Sequence, residues 1–168
     1  MILLALGANL PSEAGSPADT LRAALRRLEY LGIKPMMASD FFVTTAWPEP
    51  RDPEFLNAVA SIATQLSPRE LMSRLHDVEA EFGRRRDVAN APRPLDLDLL
   101  DYHGRVEAGP PELPHPRMGG RGFVLIPMAQ VAPGWRHPVS GITVEEMIAM
   151  LPAEAATVRR IPSGPAPD

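Results

Sequence analysis

Apolar residues along this chain follow two periods, and the points where the period changes divide it into elements. Ile2-Leu3-Leu4-Ala5-Leu6 is a continuous apolar run, the pattern of a strand buried on both faces. Gly7-Ala8-Asn9-Leu10-Pro11 interrupts it with turn residues, and the turn-rich stretch lasts to Pro17. Ser16-Pro17-Ala18-Asp19 then offers a capping serine, a proline at the first helical position and an acidic third residue, a helix-start signal. Leu21, Leu25, Leu28 and Leu31 follow at helical spacing until Gly32 ends them. Lys34 to Thr45 reads as a strand, Thr44 to Pro53 as a long proline-interrupted loop, and Phe55 to Gln65 as another strand. Ser67-Pro68-Arg69-Glu70 repeats the start signal, and Leu71, Leu75, Val78 and Phe82 line a second helix up to Gly83. Arg84 to Pro94 is a basic loop without a period. From Leu95 to Leu100 the period is two, so leucines take one face of a strand and Asp96 and Asp98 the other.

The order strand, helix, strand, strand, helix, strand predicts an α+β fold. Its expected core is ferredoxin-like, βαββαβ, with an antiparallel sheet and helices packed on it. Beyond Tyr102 a hairpin is expected with Gly104 at its turn, then short helices near Phe123 to Val131 and Thr143 to Leu151. A length of 168 residues suits one domain. We set it at residues 1–161, with Pro162 to Asp168 as a frayed tail.

Composition narrows the classes. At 45% hydrophobic and 23% charged residues the chain has the balance of an ordinary globular protein. A net charge of −4 argues against a polyanion-binding surface, so anion binding has to be local. No cysteine occurs, which excludes disulfides and thiolate metal sites and agrees with a cytoplasmic location. The apolar opening has no basic n-region and is too short for a signal peptide. No other run approaches the roughly 20 apolar residues that span a bilayer. One lysine stands against sixteen arginines, several of them between Arg84 and Arg121, and the P-loop motif is missing. Phosphate recognition would therefore use arginine forks.

Asp96 and Asp98 are the sharpest chemical signal. Neighbouring carboxylates on a rigid strand repel each other unless a cation lies between them. Mg²⁺ suits the pair, because it recruits one or two carboxylates and leaves its other positions to water and substrate phosphates. A solvated edge strand is the alternative. His115, between Pro114 and Pro116, is held by restricted backbone and could donate to a phosphate or simply be structural. Asn57, among Leu56, Ala58 and Val59, either bonds nearby backbone or offers its amide to a heterocycle.

Two longer stretches carry a resemblance. Pro92-Arg93-Pro94-Leu95-Asp96-Leu97-Asp98-Leu99-Leu100, and the run from Pro114-His115-Pro116-Arg117-Met118-Gly119-Gly120-Arg121-Gly122-Phe123 to Met128, closely resemble the 6-hydroxymethyl-7,8-dihydropterin pyrophosphokinases of folate biosynthesis. Gly7-Ala8-Asn9-Leu10 and Phe55-Leu56-Asn57-Ala58-Val59 add matches in the right order. The resemblance implies transfer of pyrophosphate from ATP to the hydroxymethyl group of a reduced pterin, with AMP released. It implies two Mg²⁺ ions on Asp96 and Asp98, and catalytic roles for those aspartates with Arg84 and Arg93. Glu79, Arg84, Arg86, Arg93, His115 and Arg121 would bind ATP. Phe55 and Phe123 would stack on the pterin, Asn57 would read its edge, and groups around Thr44, Thr45 and Trp47 would add contacts. The chain would act as a monomer without nucleic-acid or membrane partners. Asn90 and Ala91 depart from the family, which often has a basic and an aromatic residue there. The loops at Thr44 to Pro53 and Arg84 to Pro94 are expected to close over substrates.

Three alternatives remain at this point, one of them a catalytically dead relative that only binds pterin, although every polar residue the mechanism calls for is in place. Another magnesium-dependent phosphoryl or nucleotidyl transferase would keep the aspartates and arginines but have no use for Asn57 with Phe123. A ferredoxin-like RNA-binding module would stack bases on sheet aromatics. Only nine aromatics and a negative net charge speak against it.

Overall fold

Both Ser-Pro signals start helices in the computed structural model, which describes residues 1–161. The expected frayed tail, Pro162 to Asp168, lies outside the described residues. In chain order the elements are β1 (Ile2–Ala8), α1 (Pro17–Tyr30), β2 (Lys34–Ala38), β3 (Phe41–Thr44), β4 (Phe55–Ala63) and α2 (Pro68–Glu81). There follow β5 (Asp96–Tyr102), β6 (Glu107–Ala108), β7 (Glu112–Leu113), α3 (Gly122–Val131), α4 (Val144–Ala149) and β8 (Arg159–Ile161). Ser16 and Ser67 accept from the N–H groups of Asp19 and Glu70, whose carboxylates accept from the serine N–H groups in return. Each closed box satisfies two donors that a helix start leaves orphaned, and such a cap stabilises by about 1 kcal/mol.

The architecture is mixed α/β, built on a six-stranded sheet in the order β5-β1-β4-β3-β8, with β2 also pairing β4. Every pairing is antiparallel. The sheet is covered on both faces. Ile2, Leu4 and Leu6 of β1 pack with leucines of α1 and α2, whereas Leu3 packs with Val124, Leu125 and Met128 of α3 and Val144 of α4. That two-sided burial is why β1 reads as an unbroken apolar run, and each fully buried leucine stabilises by roughly 2 kcal/mol. Among the described residues no helix is long and apolar enough to cross a membrane.

Strand β5 keeps its period of two until a bulge. Leu4 pairs with Leu99 and Leu3 with Asp101, so Leu100 is one residue extra. Leu97 and Leu99 pack toward α1 and α2, and after the bulge Tyr102 returns to that side. Leu100 packs toward α3. Alternation puts Asp96 and Asp98 on the α3 side as well.

Three expectations change. The single strand expected from Lys34 to Thr45 is two strands, β2 and β3, both laid on β4. They part at Ser39, whose Oγ accepts the Val59 N–H (3.0 Å) and donates to the Asp40 carbonyl (2.8 Å). A serine side chain thus replaces one rung of the ladder. The second change concerns the hairpin. Gly104 does turn the chain (φ +69°), but the returning segment does not pair with β5. The hairpin is β6 with β7, turning at Gly109 (φ +107°). The outer edge of β5 is already occupied, because Glu79 takes the Leu97 N–H and the Leu100 carbonyl takes the His115 N–H. The third change is β8, which the sequence does not announce. It pairs with β3 through Phe41–Ile161, Phe42–Arg160 and Val43–Arg159.

Candidate active site

One row of residues crosses the α3 side of the sheet: Asp96 on β5, Gly7 on β1 and Asn57 on β4 are direct neighbours. Gly7 leaves a hollow between the two polar side chains. A Cβ there would stand 3.5 Å from Asn57 Oδ1 and 3.9 Å from Asp96 Cβ. Around this hollow lies a cleft of about 570 Å³. All the residues expected at the site line it except Glu79 and His115. Thr44, Thr45, Trp47, Phe55 and Asn57 line one side, Arg84, Arg86 and Arg93 another, and Arg121 and Phe123 the start of α3.

Asp96 is held by arginines. Arg84 ion-pairs with it and with Glu79 at once, and Arg93 stands 3.5 Å from its other oxygen. Glu79 lies beneath rather than in the wall, 1% exposed. Its carboxylate accepts from Arg84, Arg86 and the Leu97 N–H, an acceptor-only role that its ionised form fills. Burial pushes this carboxyl above its usual range, and those three donors oppose the shift. The outer edge of β5 and the basic loop are thereby tied to one buried group.

Asp98 is placed differently. His115 Nε2 and Arg121 Nη1 each approach it to 3.9 Å, beyond hydrogen-bond distance. Burial, and then the charge on Asp96, raise its carboxyl above the usual range. The His115 imidazole is pushed down by burial while Asp98 pulls it up. Its Nδ1 accepts the Arg117 N–H (3.2 Å), which fixes the proton on Nε2, facing Asp98. A second donor stands ready at Arg93, whose Nε is buried without a hydrogen-bond partner among the described residues.

On the aromatic side Asn57 is 6% exposed. Its Nδ2 donates to the Phe42 carbonyl (3.2 Å) and Thr44 Oγ1 (3.0 Å), as the reading in which Asn57 bonds nearby backbone expects. The donors are committed to the protein, and Oδ1 is left facing the hollow over Gly7. Phe55 lies under the Arg93 guanidinium (5.6 Å) and Phe123 under that of Arg121 (5.5 Å).

Two contributors escaped the sequence reading. Arg117 lines the cleft from within the run between Pro114 and Met128 that carries the resemblance, although no role attaches to it there. Asn9 is 3% exposed and joins the two long loops, its Nδ2 donating to the Pro53 carbonyl (3.0 Å) and its Oδ1 accepting the Arg93 N–H (2.8 Å). A buried amide directly after a strand was the available signal for it.

Among the described residues no three acidic or histidine side chains gather to chelate a metal by themselves. Two carboxylates in a cationic setting fit instead a hard divalent ion that arrives with its phosphates. Such a floor suits phosphoryl transfer, and Phe55 and Phe123 line the same cleft, so the class is a phosphotransferase. The comparisons carry this to a family. The family model for 7,8-dihydro-6-hydroxymethylpterin-pyrophosphokinase (HPPK) matches residues 3–133, and the chain belongs to that family. A 2-amino-4-hydroxy-6-hydroxymethyldihydropteridine pyrophosphokinase of Pseudomonas aeruginosa is 35% identical over 163 residues, 96% of each chain. One of the same name from Synechocystis sp. is 36% identical over 148 residues, 87% of this chain and 73% of the relative. A folic acid synthesis protein of Dictyostelium discoideum is 30% identical over 98% of this chain, which matches 24% of that longer protein.

Proposed function

We propose that this cleft transfers pyrophosphate from ATP to the hydroxymethyl group of 6-hydroxymethyl-7,8-dihydropterin, giving AMP and the pterin diphosphate. The chain is an HPPK of folate synthesis, and the proposal assigns that activity to residues. The observation that supports the assignment is the Asp96, Gly7, Asn57 row, which sets a carboxylate and a side-chain amide on either side of one hollow. Asp96 and Asp98 would hold two Mg²⁺ ions, whose chemistry is to neutralise charge on the phosphates and on the entering and leaving oxygens.

The remaining work falls to the protein. Arg84 and Arg93 move from Asp96 toward the β- and γ-phosphates, where Arg93 Nε finds the partner it lacks. Arg86, Arg121 and the Nε2–H of His115 complete the grip on the triphosphate. Glu79 acts on ATP through Arg84 and Arg86. Phe55 and Phe123 stack on the pterin faces, Asn57 Oδ1 accepts from a ring N–H, and Thr44, Thr45 and Trp47 border the ring. The sheet supports a ferredoxin-like core in which β2 and β3 together stand as the second strand. Its order is then fourth, first, third, second. We take residues 1–161 as one domain acting as a cytoplasmic monomer, a compartment supported by the lack of cysteine.

The test is an assay of nucleotide products with ATP, Mg²⁺ and the dihydropterin. AMP and pterin diphosphate are expected in equal amounts. ADP alone would make the chain an ordinary kinase, and no product would remove the assignment.

A further inference from the structure

Residues 152–161 add no side chain to either apolar core, and they lie beyond the residues matched by the family model. A segment that buries so little normally frays. This one is instead fastened at several points, the first three of which lie beside a wall of the aromatic recess.

The first point is Gly122, between Arg121 and Phe123. The Ala155 carbonyl lies so close against it that a Cβ on Gly122 would fall 1.8 Å from the oxygen. The second is β8, whose pairing with β3 ends one residue short of Thr44. The third is Arg159, which stands 3.5 Å from Glu54, the residue before Phe55. Last, Arg160 ion-pairs with Asp40. Asp40 is bonded in turn to Gln130 of α3, its N–H donating to Gln130 Oε1 (2.9 Å). One short stretch of backbone thus meets the α3 end of the recess, which carries Phe123, and the β3–β4 end, which carries Phe55.

We infer that residues 152–161 are a brace that sets the separation of Phe55 and Phe123, with Gly122, Arg159 and Arg160 as its positioning residues. The inference rests on the proposed placement of the dihydropterin between those rings. Stacking on two faces depends steeply on their spacing, since contact falls away within an ångström. ATP is gripped mainly by side chains of the basic loop, away from the brace, although Arg121 directly precedes Gly122. Loosening the brace therefore weakens the pterin more than the nucleotide.

Two full-length variants test this. Gly122→Ala forces the Ala155 backbone away. Arg159→Glu combined with Arg160→Glu sets one carboxylate opposite Glu54 and another opposite Asp40, and alters only side chains that are 65% and 59% exposed. The KM for dihydropterin is expected to rise about tenfold in the first and severalfold in the second, as for a misplacement near one ångström. In the charge-reversed protein the KM for ATP stays within about twofold and the Tm is kept, since surface changes of this kind cost little stability; in Gly122→Ala the KM for ATP rises less than that for the pterin, through Arg121. If Gly122→Ala fails to fold, the charge reversal decides alone. Wild-type pterin affinity in the charge-reversed protein, or a parallel rise in both KM values with a fall in Tm, overturns the brace. A wild-type enzyme that releases AMP yet leaves Phe55→Ala and Phe123→Ala with normal pterin KM would refute the ring placement, and the brace with it.

Discussion

The two halves of the cleft are assembled by different forces. The half proposed for the phosphates is a chain of opposite charges, Asp96 with Arg84, Arg84 with Glu79 and Glu79 with Arg86. The ring half is built of hydrogen bonds to backbone, Asn57 to the Phe42 carbonyl and Asn9 to the Pro53 carbonyl. An ion pair can exchange partners with an incoming phosphate, whereas a backbone bond cannot without the strand moving. On the proposed assignment, the first half therefore stores its binding groups in provisional pairs, and the second presents a finished shape. Substitutions should divide accordingly, with turnover governed by one half and pterin affinity by the other.

The strongest test of that division is removal of the carboxylates. Asp96→Ala and Asp98→Ala are each expected to lower kcat by about a thousandfold, the several kcal/mol of charge neutralisation that metal ligation supplies. Pterin binding measured by calorimetry in the absence of nucleotide should barely change. Near-normal turnover in either variant would remove the metal assignment, and a large loss of pterin affinity would erase the boundary between the halves.

Next in size is Glu79→Gln, which keeps the shape and removes the charge that anchors Arg84 and Arg86. Breaking a buried, hydrogen-bonded pair costs about 3 kcal/mol, so denaturant unfolding should shift clearly. The KM for ATP should rise about tenfold, because the arginines lose their common anchor. Pterin affinity is expected to hold. A loss of stability with no change in either KM would leave Glu79 as a strut for β5 only.

How much of this could be read from the chain follows from range. The caps at Ser16 and Ser67 and the alternation of β5 are local patterns, and they are present where the sequence puts them. Asp96, Arg93 and Phe123 lie in motifs long enough to mark them. What was hidden depends on partners distant in the chain. Ser39 divides a strand only because Val59 lies opposite, and Asn9 matters only because Pro53 and Arg93 meet there. β8 carries two exposed arginines and no apolar alternation, so only its pairing with β3 reveals it. Glu79 sits on the apolar stripe of α2 where a leucine would be ordinary, and a charge in that position signals burial without naming its partners.

Asn57→Ala takes the comparison into the ring half. One acceptor for a ring N–H is lost, and with it a net hydrogen bond of about 1.5 kcal/mol, so the dihydropterin should bind about tenfold more weakly. ATP affinity is expected to stay the same. Calorimetry giving the reverse order would mean that Asn57 serves the strand alone.

The smallest effect is expected at Trp47, and it asks whether the ring half is finished before a ligand arrives. Its side chain lines the cleft yet is 76% exposed, on the loop between β3 and β4. A ring that remains at the rim can lend only part of its surface, so Trp47→Ala should raise the pterin KM about threefold and leave kcat alone, near the lower end of the roughly 0.5–1.5 kcal/mol that a full aromatic pair contributes. Hydrogen exchange in residues 45–54 should slow only when both substrates are bound, as for a lid that closes last. A loss larger than that of Asn57→Ala would place the final assembly of the recess after binding. The ring half would then be completed by its ligand as the phosphate half is, and the contrast between a finished shape and provisional pairs would fail at this loop first.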